Sequence, residues 1–224
     1  MNGYINYFFL FNKYIMSLLN KKILFVHINK SCGGVITTNF QNNGDTTITG
    51  FHRTLTDMLN IAKKKHNINK DELYIFTIVR NPWARMLSMY LFYHKNNHNS
   101  PEFFSGNDKI DNNFTKWIEY IYSEKFDRTT IHSAVNIFKY CFSNQLNWVK
   151  NDKNIIIKNT KIYKIEDLNL YNFLKNTLNL SVVDITTRVH PTKHYHYSNY
   201  YDKKSKELVE KYYKDDINFF GYKY

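Results

Sequence analysis

Two short apolar runs constrain this chain more than anything else in it. Ile23-Leu24-Phe25-Val26-His27-Ile28 and Tyr74-Ile75-Phe76-Thr77-Ile78-Val79 are rich in β-branched and aromatic residues, and each gives way within a few residues to a helix start. Runs that are apolar at odd and even positions alike suit strands buried on both faces of a parallel sheet. After the first run come Asn29 and the pair Gly33-Gly34, and residues 35–40 then carry helical apolar spacing. After the second come Arg80-Asn81-Pro82. Asn81 suits an N-cap, and Pro82 suits the first helical position, where its missing N–H would be unpaired anyway.

The rest of the pattern alternates in the same way. A short extended piece is expected at 46–49 and an amphipathic helix at about 54–65, where Leu55, Met58, Leu59 and Ala62 recur at helical spacing. Helices are expected at 114–124, 133–149, 167–178 and 205–214, a third strand at 161–165, and a loop rich in Asn, His and Pro at 96–113 that covers a site. Strands alternating with helices indicate an α/β domain with a mainly parallel central sheet. No internal repeat or linker is visible.

With 224 residues, 43% of them hydrophobic, the chain has the length and apolar stock for one domain. Residues 1–22 read as a leader and 23–224 as a single domain. The greasy start is interrupted by Asn6, Asn12 and Lys13, and it falls short of the ~20 clean apolar residues of a membrane span. It also lacks the basic region and cleavage site of a signal peptide. The net charge of +12 favours anionic partners or a solvated Lys-rich surface. Cys32 and Cys141 make no disulfide framework, and Asn29-Lys30-Ser31 would carry a glycan badly inside a binding loop. Both points favour a reducing, cytoplasmic setting.

Two blocks carry chemistry. In the first, His27-Ile28-Asn29-Lys30-Ser31-Cys32-Gly33-Gly34-Val35-Ile36, glycines let the backbone approach an anion and helix-start N–H groups point at it. Lys30 adds a full charge. A Walker A loop places its Lys after the glycines, whereas Lys30 precedes them, which disfavours an ATPase or kinase. Taken alone, the loop also fits a structural turn with an exposed Lys. The second block is Arg80-Asn81-Pro82-Trp83-Ala84-Arg85-Met86-Leu87-Ser88-Met89-Tyr90. Arg80 follows a strand's carboxyl end, where α/β sheets bind ligands, and Ser88 lies nearly two helical turns on. A guanidinium and a hydroxyl there make a second phosphate site. Arg85 reads as a structural ion-pair residue.

Together these blocks resemble the donor-binding signature of sulfotransferases dependent on PAPS (3'-phosphoadenosine 5'-phosphosulfate), in the branch of heparan sulfate 2-O- and chondroitin sulfotransferases. That family has a His-Ile-Pro-Lys-Thr-Gly-Gly-Thr-Ser-like 5'-phosphosulfate loop and an Arg-Asn-Pro-Trp-x-Arg-x-x-Ser-x-Tyr 3'-phosphate block. Phe51-His52-Arg53-Thr54-Leu55, Phe114-Thr115-Lys116-Trp117, Ile162-Tyr163-Lys164-Ile165-Glu166-Asp167-Leu168 and the C-terminal Phe219-Phe220-Gly221-Tyr222 resemble further family segments, so the likeness runs from about residue 23 to the end. Asn29 stands where the family has Pro, and Gly34 and Val35 stand where it often has Thr and Ser. The 5'-phosphate hydroxyl must then come from Ser31, Thr37 or Thr38, or backbone N–H groups carry the load.

The resemblance implies a P-loop-type three-layer α/β/α domain. PAPS is then the donor and PAP the product, no metal takes part, and the acceptor is a hydroxyl, most naturally on a glycan or glycoconjugate rather than on nucleic acid. It assigns Lys30 to the leaving oxygen and Lys30, Ser31, Cys32, Gly33, Gly34, Val35 and Ile36 to the 5'-phosphosulfate. Arg80 and Ser88 fall to the 3'-phosphate, with Lys193 as a further nucleotide contact. His52 is the candidate base, since an ordinary histidine titrates near neutrality and the position matches the family's catalytic histidine segment. His27 reads as a packing residue, and Glu166 as structural. His190, His194 and His196 lack a carboxylate or Cys to complete a metal set. The competing readings are a nucleotide or sugar kinase, a non-catalytic polyanion binder, and a donor-binding but inactive relative.

Overall fold

The computed structural model describes residues 16–49, 52–95, 113–124, 126, 140–183, 185 and 194–224. Lys193, most of the 96–113 loop, the start of the 133–149 helix and residues 1–15 therefore lie outside the described residues. The chain divides into two compact units, one of residues 1–79 with 146–189 and one of 80–145 with 190–224.

The first unit holds a five-stranded sheet in the order β3-β1-β2-β4-β5. Its strands are β1 (Met16–Leu19), β2 (Ile23–Val26), β3 (Thr46–Thr49), β4 (Tyr74–Val79) and β5 (Thr160–Lys164). β2, β4 and β5 pair in parallel, while β1 is antiparallel to both of its neighbours. Four strands thus share one direction and β1 alone opposes them, the mixed but mainly parallel sheet of an α/β fold.

β1 lies in the stretch that reads as leader, because Met-Ser-Leu-Leu is too short to show a period. Its link to β2 is a tight turn in which Lys22 N–H donates to the Leu19 carbonyl at 2.9 Å. Asn20 and Lys21 take φ of 49° and 55° there. Positive φ at both central residues is the type I′ hairpin turn, written here without its usual glycine. The Asn20 carboxamide accepts from Asp45 N–H at 2.9 Å. Gly44 (φ 145°) leaves room for it, since a Cβ there would lie 2.2 Å from the Asn20 oxygen.

Both faces of β2 and β4 are buried, as the unbroken apolar runs require. Phe25, Phe76 and Ile78 point to one face. There they pack with Val35, Ile36 and Phe40 of α1 (Gly33–Gln41) and with Phe173, Leu174, Leu178 and Leu180. Phe76 is the hub, with ring centroids 5.0 Å from Phe25 and 5.2 Å from Phe173. Each such side chain stabilises the fold by about 1.5–3 kcal/mol on burial. Leu24, Val26, Ile75, Thr77 and Val79 are buried on the other face, and the Thr77 hydroxyl donates to the Val26 carbonyl at 2.8 Å. α2 (Leu55–His66) starts at Thr54, whose side chain accepts from Asp57 N–H, and it buries Leu55, Met58 and Ala62.

The 167–178 segment is not one α-helix. A 3-10 turn at Ile165–Asp167 precedes Asn169, which caps a new start, and the turns at Phe173–Thr177 are wider than an α-helix's. Leu178 N–H reaches the Phe173 carbonyl at 3.0 Å. That extra residue per turn sets Phe173, Leu174 and Leu178 together in the core.

The second unit is helical: α3 (Pro82–Lys95), α4 (Phe114–Ile121), α5 (Lys203–Tyr212) and α6 (Lys214–Phe220). Its centre holds Met86, Trp117, Tyr122, Phe142 and Tyr213, all buried. The helix expected through 149 ends early. Past Tyr140 the chain turns, because Asn144 donates to the Tyr212 carbonyl at 3.0 Å and accepts from Asp216 N–H at 3.3 Å, while Gln145 N–H donates to the Asp216 carboxylate at 2.7 Å. The last of these bonds takes a backbone N–H that a continuing helix would need. No described helix is long and apolar enough to cross a membrane.

Candidate functional site

In the first unit the site grows from the carboxyl end of β2. Lys30 and Cys32 flank the buried Ser31 with φ of 61° and 67°. Two non-glycine residues in the left-handed region cost about 1–2 kcal/mol each, strain of the kind stored at binding loops. Cys32 holds the N-cap position of α1, yet its side chain makes no cap bond, and the first turn contains no acid. The positive end of α1 is therefore not neutralised by its own sequence, which suits an anion. Val35 and Ile36 send their side chains into the core, so they offer only backbone groups. The Thr37 hydroxyl donates back to the Gly33 and Gly34 carbonyls at 3.0 and 3.1 Å. Its proton is spent within the helix.

Gly33 is required for a reason the sequence does not show. A Cβ on it would lie 1.6 Å from Nε2 of His27. The imidazole fills the space a side chain would take, with its ring centroid 5.6 Å from Phe25 and 4.6 Å from His52. Although the residue is only half-buried overall, the ring is desolvated. Burial first, then the charges of His52 and Lys30, hold its pKa well below the usual 6.5. Its Nδ1 is buried without a hydrogen-bond partner.

His52 meets the loop through that same residue. Its Nδ1 lies 2.9 Å from the His27 carbonyl oxygen. A carbonyl only accepts, so Nδ1 carries the proton and Nε2 is the basic nitrogen. Trp148 flanks the ring edge-on at 6.2 Å. The structure thus brings together the Lys30 loop and His52, with His27, read as a packing residue, as the link between them.

The second block occupies the second unit. Asn81 caps α3 as expected, accepting from Trp83 and Ala84 N–H at 3.1 and 3.3 Å. The backbone of Arg80 is held on both sides by one side chain. Its N–H donates to Gln145 Oε1 at 2.9 Å, and its carbonyl accepts from Gln145 Nε2 at 2.8 Å. Asp216 anchors that amide in turn. No sequence signal marked Gln145, because a residue that orders another's backbone has no motif of its own. Ser88 is buried in α3. Arg85 is fully buried, donating to the Tyr213 hydroxyl and the Cys141 carbonyl at 3.0 and 2.5 Å, which is a structural role. Burial pushes the Cys141 thiol up to about 12.

Glu166 sits exposed in the turn after β5. His194 Nδ1 contacts the Tyr195 carbonyl and His196 Nδ1 the Ser198 hydroxyl. Among the described residues no group of His, Cys, Asp and Glu is placed to hold a metal.

A family model described as "Sulfotransferase family" matches residues 12–223. The chain belongs to the sulfotransferase family. That match spans both units and includes β1. No curated protein and no solved structure shows significant similarity to it. Family and fold agree, since the sheet and the strand–loop–helix at Lys30 are those of a P-loop-type α/β protein.

Two outcomes follow from the His27–Gly33 contact. Gly33→Ala should destabilise by about 1–3 kcal/mol through overpacking. In a His27→Ala background the same change should become neutral, or stabilise slightly as helix propensity takes over. Equal costs in the two backgrounds, measured by urea unfolding, would show that the ring is not what excludes the Cβ. The second outcome concerns pH. His27 is neutral when folded, so between its depressed folded pKa and 6.5 the unfolded chain binds more protons, and stability rises with pH across that window. Stability should therefore fall on acidification below about 6.5, and His27→Phe should reduce that slope.

Proposed function

We propose that this sulfotransferase moves a sulfuryl group from PAPS to a hydroxyl of a carbohydrate acceptor by in-line displacement. The observation carrying this reading is the Lys30 loop, strained, cationic and leading into a helix start whose N-cap residue, Cys32, makes no side-chain cap bond. The absence of acid in the first turn of α1 fits a phosphosulfate.

PAPS, when bound, supplies an activated sulfuryl group on a phosphate oxygen. In this reading the acceptor oxygen bonds to sulfur as the sulfur–oxygen bond to the 5'-phosphate breaks. The acceptor proton passes to Nε2 of His52, and Lys30 meets the charge growing on the leaving phosphate oxygen. Stabilising such charge is commonly the largest catalytic term. Backbone N–H groups from residues 31–35 take the 5'-phosphosulfate oxygens, while the Ile36 N–H donates to the Cys32 carbonyl and borders the site from within the helix. Arg80 and Ser88 take the 3'-phosphate, the group that separates PAPS from ATP, and Lys193 adds a further nucleotide contact. Cys32 and Cys141 are not joined in a disulfide, in keeping with a cytoplasmic enzyme.

Thermal stabilisation tests the donor. PAP at 100 times its dissociation constant should add about 2.7 kcal/mol. A shift with ATP or with DNA but none with PAP would sink the reading in favour of a kinase or a polyanion binder. With labelled donor and a panel of glycan acceptors, Lys30→Ala should lose roughly 10²–10³-fold in turnover while PAP binding largely survives. His52→Ala should lose about 10²–10⁴-fold. Full activity of His52→Ala between about pH 6 and 8, the range in which a histidine serves as base, would move that role elsewhere.

A further inference from the structure

The molecule places a second imidazole at the mouth of the Lys30 loop, and its use is not explained by packing alone. His27 lies with Nε2 over Gly33, the first residue of α1, in the space left by the missing Cβ. Its other nitrogen, Nδ1, is buried without a partner. A neutral imidazole has one N–H and one bare lone pair. An orphaned buried N–H is rarer in proteins than an under-satisfied acceptor, so the enclosure selects the form with the bare lone pair at Nδ1 and the proton at Nε2. The two histidines therefore carry opposite tautomers: His52 is protonated at Nδ1 by its bond to the His27 carbonyl, and His27 at Nε2.

We infer that Nε2–H of His27 is a hydrogen-bond donor to the anion held at the start of α1. Resting on the PAPS reading, this adds to that site a donor residue which the motif comparison treats as packing. A neutral donor suits the position. Lys30 and the end of α1 already supply positive charge there, and a second full cation would be repelled by Lys30. The ring stays uncharged for the same reasons, its surroundings being Phe25, His52, Lys30 and the α1 backbone. The contact also makes His27 a joint between the two halves of the chemistry: its carbonyl orients the base, and its ring touches the anion. Occupancy of the loop is then felt at His52 through one residue.

Nitrogen-15 NMR of the imidazoles in the full-length protein tests this directly, with PAP as the probe. At pH 7 the His27 signals should show the Nε2–H tautomer, and PAP should shift its Nε2 and that proton. The opposite tautomer, or no shift on saturation with PAP, overturns the inference. His27→Phe keeps a ring over Gly33 but removes the donor. It should bind PAP roughly 10-fold or more weakly, the range for a lost hydrogen bond to a charged group. His27→Gln should recover part of that loss if its amide reaches the same point. Undiminished PAP affinity in a folded His27→Phe variant also overturns it. Failure of PAP to bind the wild-type protein would instead remove the donor assignment itself, so the two failures are distinguishable.

Discussion

The parallel pairing of β2 with β4 is the constraint on which everything else rests. Val26 lies opposite Thr77, and the Thr77 hydroxyl ties the two strands at that level. The strands run the same way and are buried on both faces, so they end on one edge of the sheet. The backbone there must leave the ladder, and its polar groups need new partners. At β2 the solution is a strained loop that feeds N–H groups into α1. At β4 it is Asn81, whose carboxamide takes the first N–H groups of α3. Both helix starts are consequences of where apolar pairing stops, and the start of α1, where Cys32 makes no side-chain cap bond, is the one suited to an anion.

Between strand and loop, His27 is where packing passes into chemistry. Its ring belongs to the aromatic stack that begins with Phe25, its carbonyl holds His52, and its Nε2 lies against Gly33. Displacing it would disturb a core contact, the His52 tautomer and the helix start together. Gly33 answers to this contact rather than to backbone conformation, for φ in the left-handed region is carried by Lys30 and Cys32 beside it. A glycine in a phosphate loop is usually credited with conformational freedom. Here the nearer reason is volume.

Much of this was legible in advance, and the legible part shares one property. β4 at 74–79, β3 at 46–49, the Asn81 cap and the helix near 54–65 all follow from local periods and caps. What escaped depends on long-range partners. β1 has four residues and an Asn-Lys turn without glycine, so only pairing with β2 and β3 makes it a strand. The 141–149 stretch looked helical until Asn144 and Gln145 found Tyr212 and Asp216, far along the chain. Among the candidate residues, Lys30, Gly33, Arg80 and Ser88 stand out by their places in the two sequence blocks. The clasp of Gln145 on the Arg80 backbone and the ring of His27 over Gly33 do not, because each is a contact between residues that no motif joins.

The departures from the family pattern at Gly34 and Val35 then take on a physical meaning. Side-chain hydroxyls in the family's Thr and Ser positions can donate to a phosphate directly. Gly34 has none, and Val35 turns its side chain into the core beside Ile36 and Phe40, while the Thr37 proton goes to the Gly33 and Gly34 carbonyls. Donor capacity at the loop is thereby moved from hydroxyls towards the main chain, and the main chain donates only if α1 begins where it does. That start is set by left-handed backbone at Cys32. A cysteine in that conformation costs about 1–2 kcal/mol, and the burial of Val35, Ile36 and Phe40 behind it offsets that cost severalfold. The loop therefore keeps its geometry because the core holds it there, and Val35, the apolar side chain at one of the two hydroxyl positions, is part of what does the holding.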